Sequence, residues 1–348
     1  MNWISPSSNT FSTAGQPVLK RDHSRKPFSP MYTVLVSAPY LIPELGRFRE
    51  VFDRYEVESV VPPEVVERLE EDQLLSYAGL FDGAICGDDR FTRRVLEACL
   101  PRLKVISKWG TGIDSIDGDA AKELGIKVYR TIDAFTDPVA DTVMGYILAF
   151  ARRLPWSDRQ MKSGLWSKLP ARSLKECVLG VIGVGHIGRA VIRRAFAFGM
   201  RLLGTDIVEI ESDFVRIHSV EMTTLEDLLA RSDFVSLNCD LNPTSYHLID
   251  AKTLALMKPG SVIINTARGQ VIDEPALIRA LTTGQLAGAA LDVFEAEPLP
   301  VESPLRRMDN VLLAPHNANA SPAAWERVHR NTLRNLFEGL GLPDFQLD

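Results

Sequence analysis

The sequence lacks the features of several protein classes. Its four cysteines are widely spaced and form no CxxC pair, which predicts free thiols in a reducing compartment. No run of apolar residues is long enough to cross a bilayer, and there is no long basic run. The formal net charge is -6 over 348 residues. These absences argue against a nucleic-acid or membrane partner, and we expect a cytoplasmic protein without a metal site.

The first thirty residues contain few apolar side chains. They are polar, rich in Ser and Pro, and lack the apolar core of a signal peptide. Such a segment cannot bury enough apolar surface to offset the entropy of ordering it. We therefore predict a disordered extension over residues 1–30.

Short β-branched runs alternate with helical patterns in the rest of the chain. Helices are expected at 44–54 and 93–99, and a long helical pattern at 138–162 is interrupted by Pro155. Alternation of this kind predicts parallel sheets covered by helices. Strands are predicted in two sets, at 33–38, 83–86, 104–109 and 127–131, and then at 178–183, 201–206, 234–238, 261–266, 286–293 and 311–316.

The segment LGVIGVGHIGRAV, residues 179–191, joins a predicted strand to a predicted helix through a GxGxxG spacing. Gly183 would make the tight turn, Gly185 would let the backbone approach a pyrophosphate, and Gly188 would let the helix pack closely. Asp206 ends the next strand, where a carboxylate would bind the adenosine ribose hydroxyls and oppose a 2′-phosphate. The pattern favours NAD over NADP, and a purely structural glycine turn is the alternative.

Three polar side chains follow later strands, at the sheet edge where α/β proteins bind ligands. They are Arg268 in INTARGQVID, Glu297 in LDVFEAEP and His316 in LLAPH. An arginine suits a carboxylate, and a histidine at a strand end is a candidate acid/base whose pKa a nearby glutamate would raise. Taken alone, each could be a surface arginine, a solvated loop carboxylate or a satisfied half-buried histidine. Together they supply what the oxidation of a 2-hydroxy acid needs.

These motifs, with KWGTGIDSID before them, resemble the D-isomer-specific 2-hydroxyacid dehydrogenases, and most closely the D-3-phosphoglycerate dehydrogenase branch. The resemblance implies an α/β fold of two Rossmann-like doubly wound parallel-sheet domains with a cleft between them. The substrate-binding domain would comprise residues 31–131 plus 319–348, and the NAD-binding domain residues 132–318. It also implies NAD as cofactor, a small 2-hydroxy or 2-keto acid as substrate, and a homodimer formed through the nucleotide domain.

The same resemblance implies roles for individual residues. The arginine, the glutamate and the histidine singled out above would be the catalytic residues. The backbone around Gly110, Thr111 and Gly112 would bind the substrate carboxylate together with Arg268, and Asp292 would bind the nicotinamide carboxamide. The full set expected to contact the cofactor is Gly183, Gly185, His186, Ile187, Gly188, Asp206, Cys239, Asp240, Thr244, Thr266, Ala267, Arg268, Asp292 and His316.

The chain departs from the phosphoglycerate branch near the substrate. Gly87 and Asp88 stand where that branch usually has an Arg-Ser pair, and Asp89 follows. We expect Asp88 and Asp89 to repel a phosphate, although Arg90 is close by. A more polar, hydroxylated 2-hydroxy acid is therefore favoured. Hydroxypyruvate or glyoxylate reduction, formate or phosphite oxidation, and a non-enzymatic NAD-sensing corepressor-like role are the alternatives.

Overall fold

The computed structural model describes residues 31–342. The predicted extension over residues 1–30 and the last six residues lie outside this part of the chain. Within it, all strands belong to two parallel sheets. The strands are β1 Tyr32–Val36, β2 Val57–Val60, β3 Gly83–Cys86, β4 Val105–Lys108, β5 Lys127–Tyr129, β6 Val178–Ile182, β7 Arg201–Thr205, β8 Val220–Met222, β9 Phe234–Leu237, β10 Val262–Asn265, β11 Gly288–Leu291 and β12 Val311–Leu313.

Helices connect most consecutive strands, because parallel neighbours need a crossover between them. Short 3-10 helices lie at Ile42–Phe48, Leu174–Glu176, Gly269–Val271 and Pro304–Arg307. The α-helices are α1 Arg49–Arg54, α2 Glu71–Leu75, α3 Arg93–Ala98, α4 Gly118–Glu123, α5 Thr136–Ala151, α6 Leu154–Lys162, α7 His186–Ala197, α8 Ser212–Ile217, α9 Leu225–Arg231, α10 Ala251–Leu256, α11 Glu274–Thr282 and α12 Pro322–Gly339.

The first sheet has the order β2-β1-β3-β4-β5 and the second has the order β12-β11-β10-β9-β6-β7-β8. The predicted α/β class with two doubly wound parallel sheets is confirmed. In the second sheet the strand order reverses between β6 and β9, and such a reversal opens a ligand crevice at the carboxyl ends of the strands. The strands β6, β9, β10 and β11 are buried along their whole length, as strands covered on both faces must be.

The predicted interruption of the long helix is confirmed. Helix α5 ends at Ala151 and α6 begins at Leu154, with Arg153 between them in the left-handed region at φ +56°. Pro155 lies in the first turn of α6, where a missing backbone N–H leaves no intrahelical bond unmade. Within residues 31–342, no helix combines the length and apolar character needed to span a membrane.

The last helix returns to the first sheet. Helix α12 packs on β3, β4 and β5, and the Ser107 hydroxyl donates a hydrogen bond of 2.8 Å to the carbonyl of Thr332. A Cβ placed on Gly83 would lie within 3.6 Å of both Leu336 and Leu340, so the helix lies directly on the strand. This packing agrees with a substrate domain built from both ends of the chain, but the boundaries given above stay a prediction.

Candidate active site

A cavity of about 480 Å³ lies where loops from the two sheets face each other. The sequence-predicted residues that line it are Gly110, Thr111, Gly112, Ile187, Thr266, Arg268, Asp292, Glu297 and His316. The first three follow strand β4 of the first sheet, and the last five follow strands β10 to β12 of the second. The structure therefore brings the three candidate catalytic residues and the candidate carboxylate loop to one cavity.

His316 and Glu297 form a directly bonded pair. The Nδ1 atom of His316 is 3.0 Å from Oε2 of Glu297. The other glutamate oxygen, Oε1, accepts a hydrogen bond of 2.9 Å from the backbone N–H of Phe294, which fixes the carboxylate. This arrangement leaves Nε2 of His316 as the ring nitrogen available to a substrate, with a neighbour that stabilises the protonated ring.

The pKa of His316 lies above its usual value. Burial by itself lowers that pKa, but the hydrogen bond and the negative charge of Glu297 outweigh it. The charge of Arg268 acts in the lowering direction, and that of Asp88 in the raising direction. The imidazolium is consequently retained to a higher pH than in an isolated histidine.

A buried aspartate holds the turn that carries His316. Asp292 is 1 % exposed, and its two carboxylate oxygens accept hydrogen bonds from the backbone N–H groups of Asn317 and Ala318, at 2.8 and 2.9 Å. Its carbonyl accepts from the N–H of His316 at 2.7 Å. His316 itself has φ +50°, a left-handed conformation that costs a residue with a side chain about 1–2 kcal/mol. The three bonds to Asp292 offset that cost and orient the imidazole.

Arg268 lies opposite the histidine, after β10. Its Nε donates to Oδ1 of Asp114 at 3.1 Å and its Nη1 donates to the carbonyl of Ala267 at 2.8 Å. Burial opposes the charge on the guanidinium, but Asp114 and Asp88 raise the pKa above its usual value. A Cβ on Gly112 would overlap the guanidinium, so this glycine leaves the space that Arg268 occupies.

The loop after β4 offers backbone donors. Gly110 has φ +129°, and the Thr111 hydroxyl donates to the carbonyl of Thr131 at 2.8 Å, which fixes the loop. Within residues 31–342, the N–H groups of Thr111 and Gly112 have no hydrogen-bond acceptor. Two free amide donors next to an arginine form a site suited to a carboxylate.

The glycine loop meets the requirements of a dinucleotide. Gly183 has φ +85°, and a Cβ there would lie 2.8 Å from the backbone of Asn238 and Cys239. A Cβ on Gly188 would overlap the carbonyl oxygen of Gly183, so helix α7 needs a glycine to pack this closely. Nothing lies within 4 Å of a Cβ position on Gly185, at the N-terminus of α7. This open space beside a helix N-terminus fits a pyrophosphate.

Asp206 follows β7 and lies beside the same loop. Its Oδ2 accepts from the N–H of Val184 at 2.6 Å, and its Oδ1 accepts from the N–H of Val208 at 3.1 Å. The nearby Arg189 is bonded to Glu211 and to the carbonyl of Val184. The carboxylate is thus fixed at the strand end, and among residues 31–342 no cation is bonded to it, which suits the recognition of ribose hydroxyls.

The remaining predicted cofactor residues lie outside the cavity, along the nucleotide loops. His186 begins α7 and its Nδ1 is 2.7 Å from Oδ1 of Asp133. Ala267 donates its N–H to Asn265 at 3.0 Å. Cys239, Asp240 and Thr244 lie in the loop after β9, where Asp240 and Thr244 are exposed and the hydroxyl of Thr244 donates to Asn242 at 2.6 Å.

The structure contradicts the expected place of Asp89. This residue is fully buried and does not line the cavity. Its carboxylate accepts hydrogen bonds from the N–H of Leu69 at 2.6 Å and from the hydroxyl of Ser37 at 3.0 Å, which turn it toward the loops around β1. Burial raises its pKa to about 6. Asp89 therefore supports the loop structurally and does not face a substrate.

Several cavity or near-cavity residues were not predicted from the sequence, and three of them bear on the chemistry of the site. Lys108 ends β4 and pairs with Asp88, Asp114 pairs with Arg268, and Tyr40 lines the cavity from the loop after β1. A lysine inside the apolar run KVISKW was the one available signal, because a buried charge needs a partner. Among the described residues, no cluster of three or more histidine, cysteine or acidic side chains is arranged to hold a metal ion.

Comparison with known proteins agrees with this geometry. The family model described as D-isomer specific 2-hydroxyacid dehydrogenase, NAD binding domain, matches residues 144–318. A glyoxylate reductase from Korarchaeum cryptofilum is 38% identical over 307 residues, which cover 85% of this chain and 89% of that protein. A hydroxypyruvate reductase from Thermotoga maritima is 38% identical over 282 residues, which cover 79% and 90% respectively.

A solved structure shows the same fold with a cofactor bound. D-lactate dehydrogenase from Aquifex aeolicus, complexed with NAD and lactic acid, superposes with a TM-score of 0.80 at 28% sequence identity. The match covers 89% of this chain and 96% of that chain. The shared fold therefore extends over both sheets and the cavity between them.

Proposed function

Because the chain belongs to the D-isomer specific 2-hydroxyacid dehydrogenase family, we propose that it is a reductase of short 2-keto acids, of the glyoxylate or hydroxypyruvate type, with His316 as its acid/base. That it is an NAD-dependent oxidoreductase of 2-hydroxy acids is shown by the family model and the relatives. The predicted cofactor, NAD, is confirmed in the same way. The observation that carries the proposal is the His316–Glu297 bond of 3.0 Å opposite Arg268 in one cavity.

His316 would move the proton of the reaction. In oxidation its neutral ring takes the proton from the C2 hydroxyl, and in reduction the imidazolium returns it to the C2 oxygen. Glu297 would stabilise the imidazolium and keep the ring oriented through Nδ1. Bound NAD supplies the chemistry that these groups cannot, the exchange of a hydride with C2 of the substrate.

Arg268 and the loop after β4 would orient the substrate. The guanidinium can bind the carboxylate and stabilise the charge that develops on the C2 oxygen, while the N–H groups of Thr111 and Gly112 bind the carboxylate from the other side. Asp114 holds the Arg268 side chain through Nε and leaves Nη2 for the substrate. The pyrophosphate of the cofactor would bind beside Gly185 at the N-terminus of α7, and the ribose would bind to Asp206.

The charges in the cavity support an uncharged substrate tail. Apart from His316, whose charge changes during the reaction, four cationic side chains line it, set against four carboxylates, so the fixed charges leave no surplus of positive charge for a phosphate dianion. The cations are Arg68, Lys108, Arg268 and Arg306, and the carboxylates are Glu67, Asp88, Asp292 and Glu297. Arg90, the cation closest to Asp88 in the sequence, lines an adjoining smaller recess. Reduction of 2-keto acids such as glyoxylate or hydroxypyruvate is thus favoured over oxidation of 3-phosphoglycerate.

A substrate panel tests this proposal. Purified protein is mixed with NADH and, separately, with glyoxylate, hydroxypyruvate, pyruvate and 3-phosphohydroxypyruvate, and loss of NADH absorbance is followed. We expect turnover of at least one unphosphorylated acid with a kcat/KM above that for the phosphorylated acid. A higher kcat/KM for the phosphorylated acid would assign the protein to phosphoglycerate metabolism and overturn the proposal.

The family resemblance also supports a homodimer formed through the nucleotide domain. Helix α6 and the loop that follows it expose large apolar side chains, with Met161 53%, Leu165 57% and Trp166 89% exposed. Such a patch is typical of a protein interface. Light scattering during size-exclusion chromatography distinguishes a dimer from a monomer.

We also propose that the enzyme is located in the cytoplasm, which its four free cysteines support.

A further inference from the structure

We propose that Asp88, Lys108 and Tyr40 form a subsite that recognises a hydroxyl group on C3 of the substrate. This inference rests on the proposed function and names the substrate class more narrowly. It predicts a preference for hydroxypyruvate, or glycerate in the reverse direction, over acids of similar size without that hydroxyl. The three side chains belong to the first sheet or to the loops after its strands, and they line the same cavity as His316 and Arg268.

Lys108 and Asp88 form an ion pair at the cavity wall. The Nζ atom of Lys108 donates to Oδ1 of Asp88 and to the carbonyl oxygen of Gly87, both at 2.6 Å. The lysine side chain is only 4% exposed, whereas the aspartate side chain is 45% exposed toward the cavity. An ammonium group has three N–H donors, so one donor of Lys108 stays available after these two bonds.

Asp88 has an unused acceptor. Its Oδ1 is bonded to Lys108, and within residues 31–342 its Oδ2 receives no hydrogen bond. Burial alone would raise the pKa of Asp88, but Lys108 and then Arg268 hold it well below its usual range. The carboxylate is therefore ionised at any physiological pH and can only accept hydrogen bonds. Water can reach this acceptor in the open cavity, so the cost of an unpaired charge arises when a bound substrate displaces that water without donating a hydrogen bond.

Tyr40 adds a hydroxyl on the same wall. Its ring packs against two indoles that also contact each other, with ring centroids 5.3 Å from Trp109 and 5.0 Å from Trp325. In the described part of the chain its hydroxyl has no hydrogen-bond partner. Burial and the nearby carboxylates, Glu67 and Asp88 among them, raise the pKa of Tyr40, so the hydroxyl keeps its proton and can donate.

The three groups together match an alcohol better than other substituents. A C3 hydroxyl donates one hydrogen bond and accepts up to two, while the wall offers one carboxylate acceptor and two donors, from Lys108 and Tyr40. A methyl group would leave Oδ2 of Asp88 desolvated without a partner. A site built to bind a hydroxyl rejects the analogue that lacks it for this reason. A phosphate or a second carboxylate would instead face the negative charge of Asp88.

The pair is also near enough to the reacting groups to contact a three-carbon acid. Asp88 lines both the main cavity and the smaller recess, and Arg268, Glu297 and His316 line both as well. With the carboxylate between Arg268 and the loop after β4, and with C2 facing His316, we place C3 against the part of the first sheet formed by the loops after β1 and β3. The Asp88–Lys108 pair lies on that side of the cavity.

The test compares specificity between substrates within each variant. We measure kcat/KM with NADH for hydroxypyruvate, pyruvate and glyoxylate, in the unmodified protein and in Asp88→Asn and Tyr40→Phe. The unmodified protein should prefer hydroxypyruvate over pyruvate by about tenfold or more, the effect of one hydrogen bond to a charged group. Asp88→Asn should remove most of that preference, chiefly through KM. Tyr40→Phe keeps the ring stack and should reduce the preference by a few-fold.

Matched controls keep the same chemical change away from the cavity. Asp119→Asn alters an exposed residue in the first turn of α4, and Tyr246→Phe alters a tyrosine that is 58% exposed. Both should preserve the preference for hydroxypyruvate. Melting temperatures of all variants show whether the fold is retained, and Tyr40→Phe keeps the test decisive if Asp88→Asn unfolds.

The outcomes separate this inference from the proposed function. Turnover of the three acids without a preference for hydroxypyruvate overturns the inference alone. The inference alone is also overturned if the preference survives in both variants, or if kcat/KM falls equally for all three acids. An equal fall would indicate a merely structural pair, which affects every substrate alike. Failure to reduce any 2-keto acid overturns the proposed function and the inference with it.

Discussion

The two sheets supply different kinds of side chain to one cavity. The seven-stranded sheet contributes His316 and Arg268, which would handle the proton and the carboxylate of any 2-hydroxy acid. The five-stranded sheet contributes the amides at Thr111, which would help to bind the carboxylate, and the Asp88–Lys108 pair, which would contact the rest of the substrate. On this proposal, reaction type and substrate choice depend on separate parts of the molecule. A substitution of His316 should alter the rate for all substrates without altering the preference among them. A substitution in the Asp88–Lys108 pair should alter that preference without altering the reaction.

The largest effect should come from the seven-stranded sheet. His316→Ala removes the proton donor, and general acid/base catalysis contributes roughly 10²- to 10⁴-fold. We expect kcat for every accepted keto acid to fall by that factor, while the dissociation constant of NADH changes little. Stopped-flow fluorescence measures NADH binding and absorbance measures turnover. His218→Ala, a histidine after α8, should turn over normally. Near-normal turnover by His316→Ala would remove the histidine from the mechanism.

The site residues of the seven-stranded sheet could be predicted from the sequence more readily than those of the five-stranded sheet. Arg268, Glu297 and His316 each follow an apolar strand within a recognisable motif, since a parallel strand of a doubly wound sheet delivers its next residues to the ligand edge. The glycine loop is equally visible because its turn and its close packing admit only glycine. The position of these residues at one cavity could therefore be predicted from the sequence, and their roles in catalysis stay a prediction.

The Asp88–Lys108 pair on the cavity wall could not be predicted in the same way. Lys108 and Asp88 are twenty residues apart, and only the pairing of β3 with β4 brings them together. Asp89 has the same side chain as Asp88, but hydrogen bonds from the Leu69 N–H and the Ser37 hydroxyl hold its carboxylate away from the cavity. The edge strands β2 and β8 were missed since their segments, VESV and VEM, are short and carry exposed acidic residues.

A substitution at the junction of the two sheets should have the next largest effect. In Gly112→Ala the new methyl group would occupy the position of the Arg268 guanidinium and displace it. Misplacement of a binding group by about 1 Å can cost 10²-fold, so we expect a loss of about that size in kcat/KM for all substrates. Gly118→Ala is the control, since nothing lies within 4 Å of its Cβ position. Unchanged kinetics in Gly112→Ala would show that Arg268 does not bind the substrate from its present position.

The choice between NAD and NADP depends on the seven-stranded sheet, at Asp206. It should change without a change in the proton transfer by His316 or in substrate preference. Asp206→Ala removes the acceptor for the ribose hydroxyls, so NADH should bind about tenfold more weakly, while NADPH, freed from repulsion, should bind better. Calorimetric titration with both cofactors measures the ratio. Asp213→Ala, whose side chain is 80% exposed, should leave the ratio unchanged. Equal or tighter binding of NADPH by the unmodified protein would contradict the role given to Asp206.

The subtlest effect should be a displaced pH profile in Glu297→Gln. Glu297 holds the pKa of His316 above its usual value against the opposing effect of burial. Loss of the carboxylate lowers that pKa, so the imidazolium needed for reduction is lost at a lower pH. The alkaline limb of kcat/KM for keto-acid reduction should move down in pH, and the acidic limb for hydroxy-acid oxidation should move the same way. The rate at the optimum should fall less than in His316→Ala. The chain provides a matched control in Glu295→Gln, because Glu295 is bonded to His247 at 2.7 Å outside the main cavity. If both variants displaced the profile equally, or neither did, the titrating group would not be the His316–Glu297 pair.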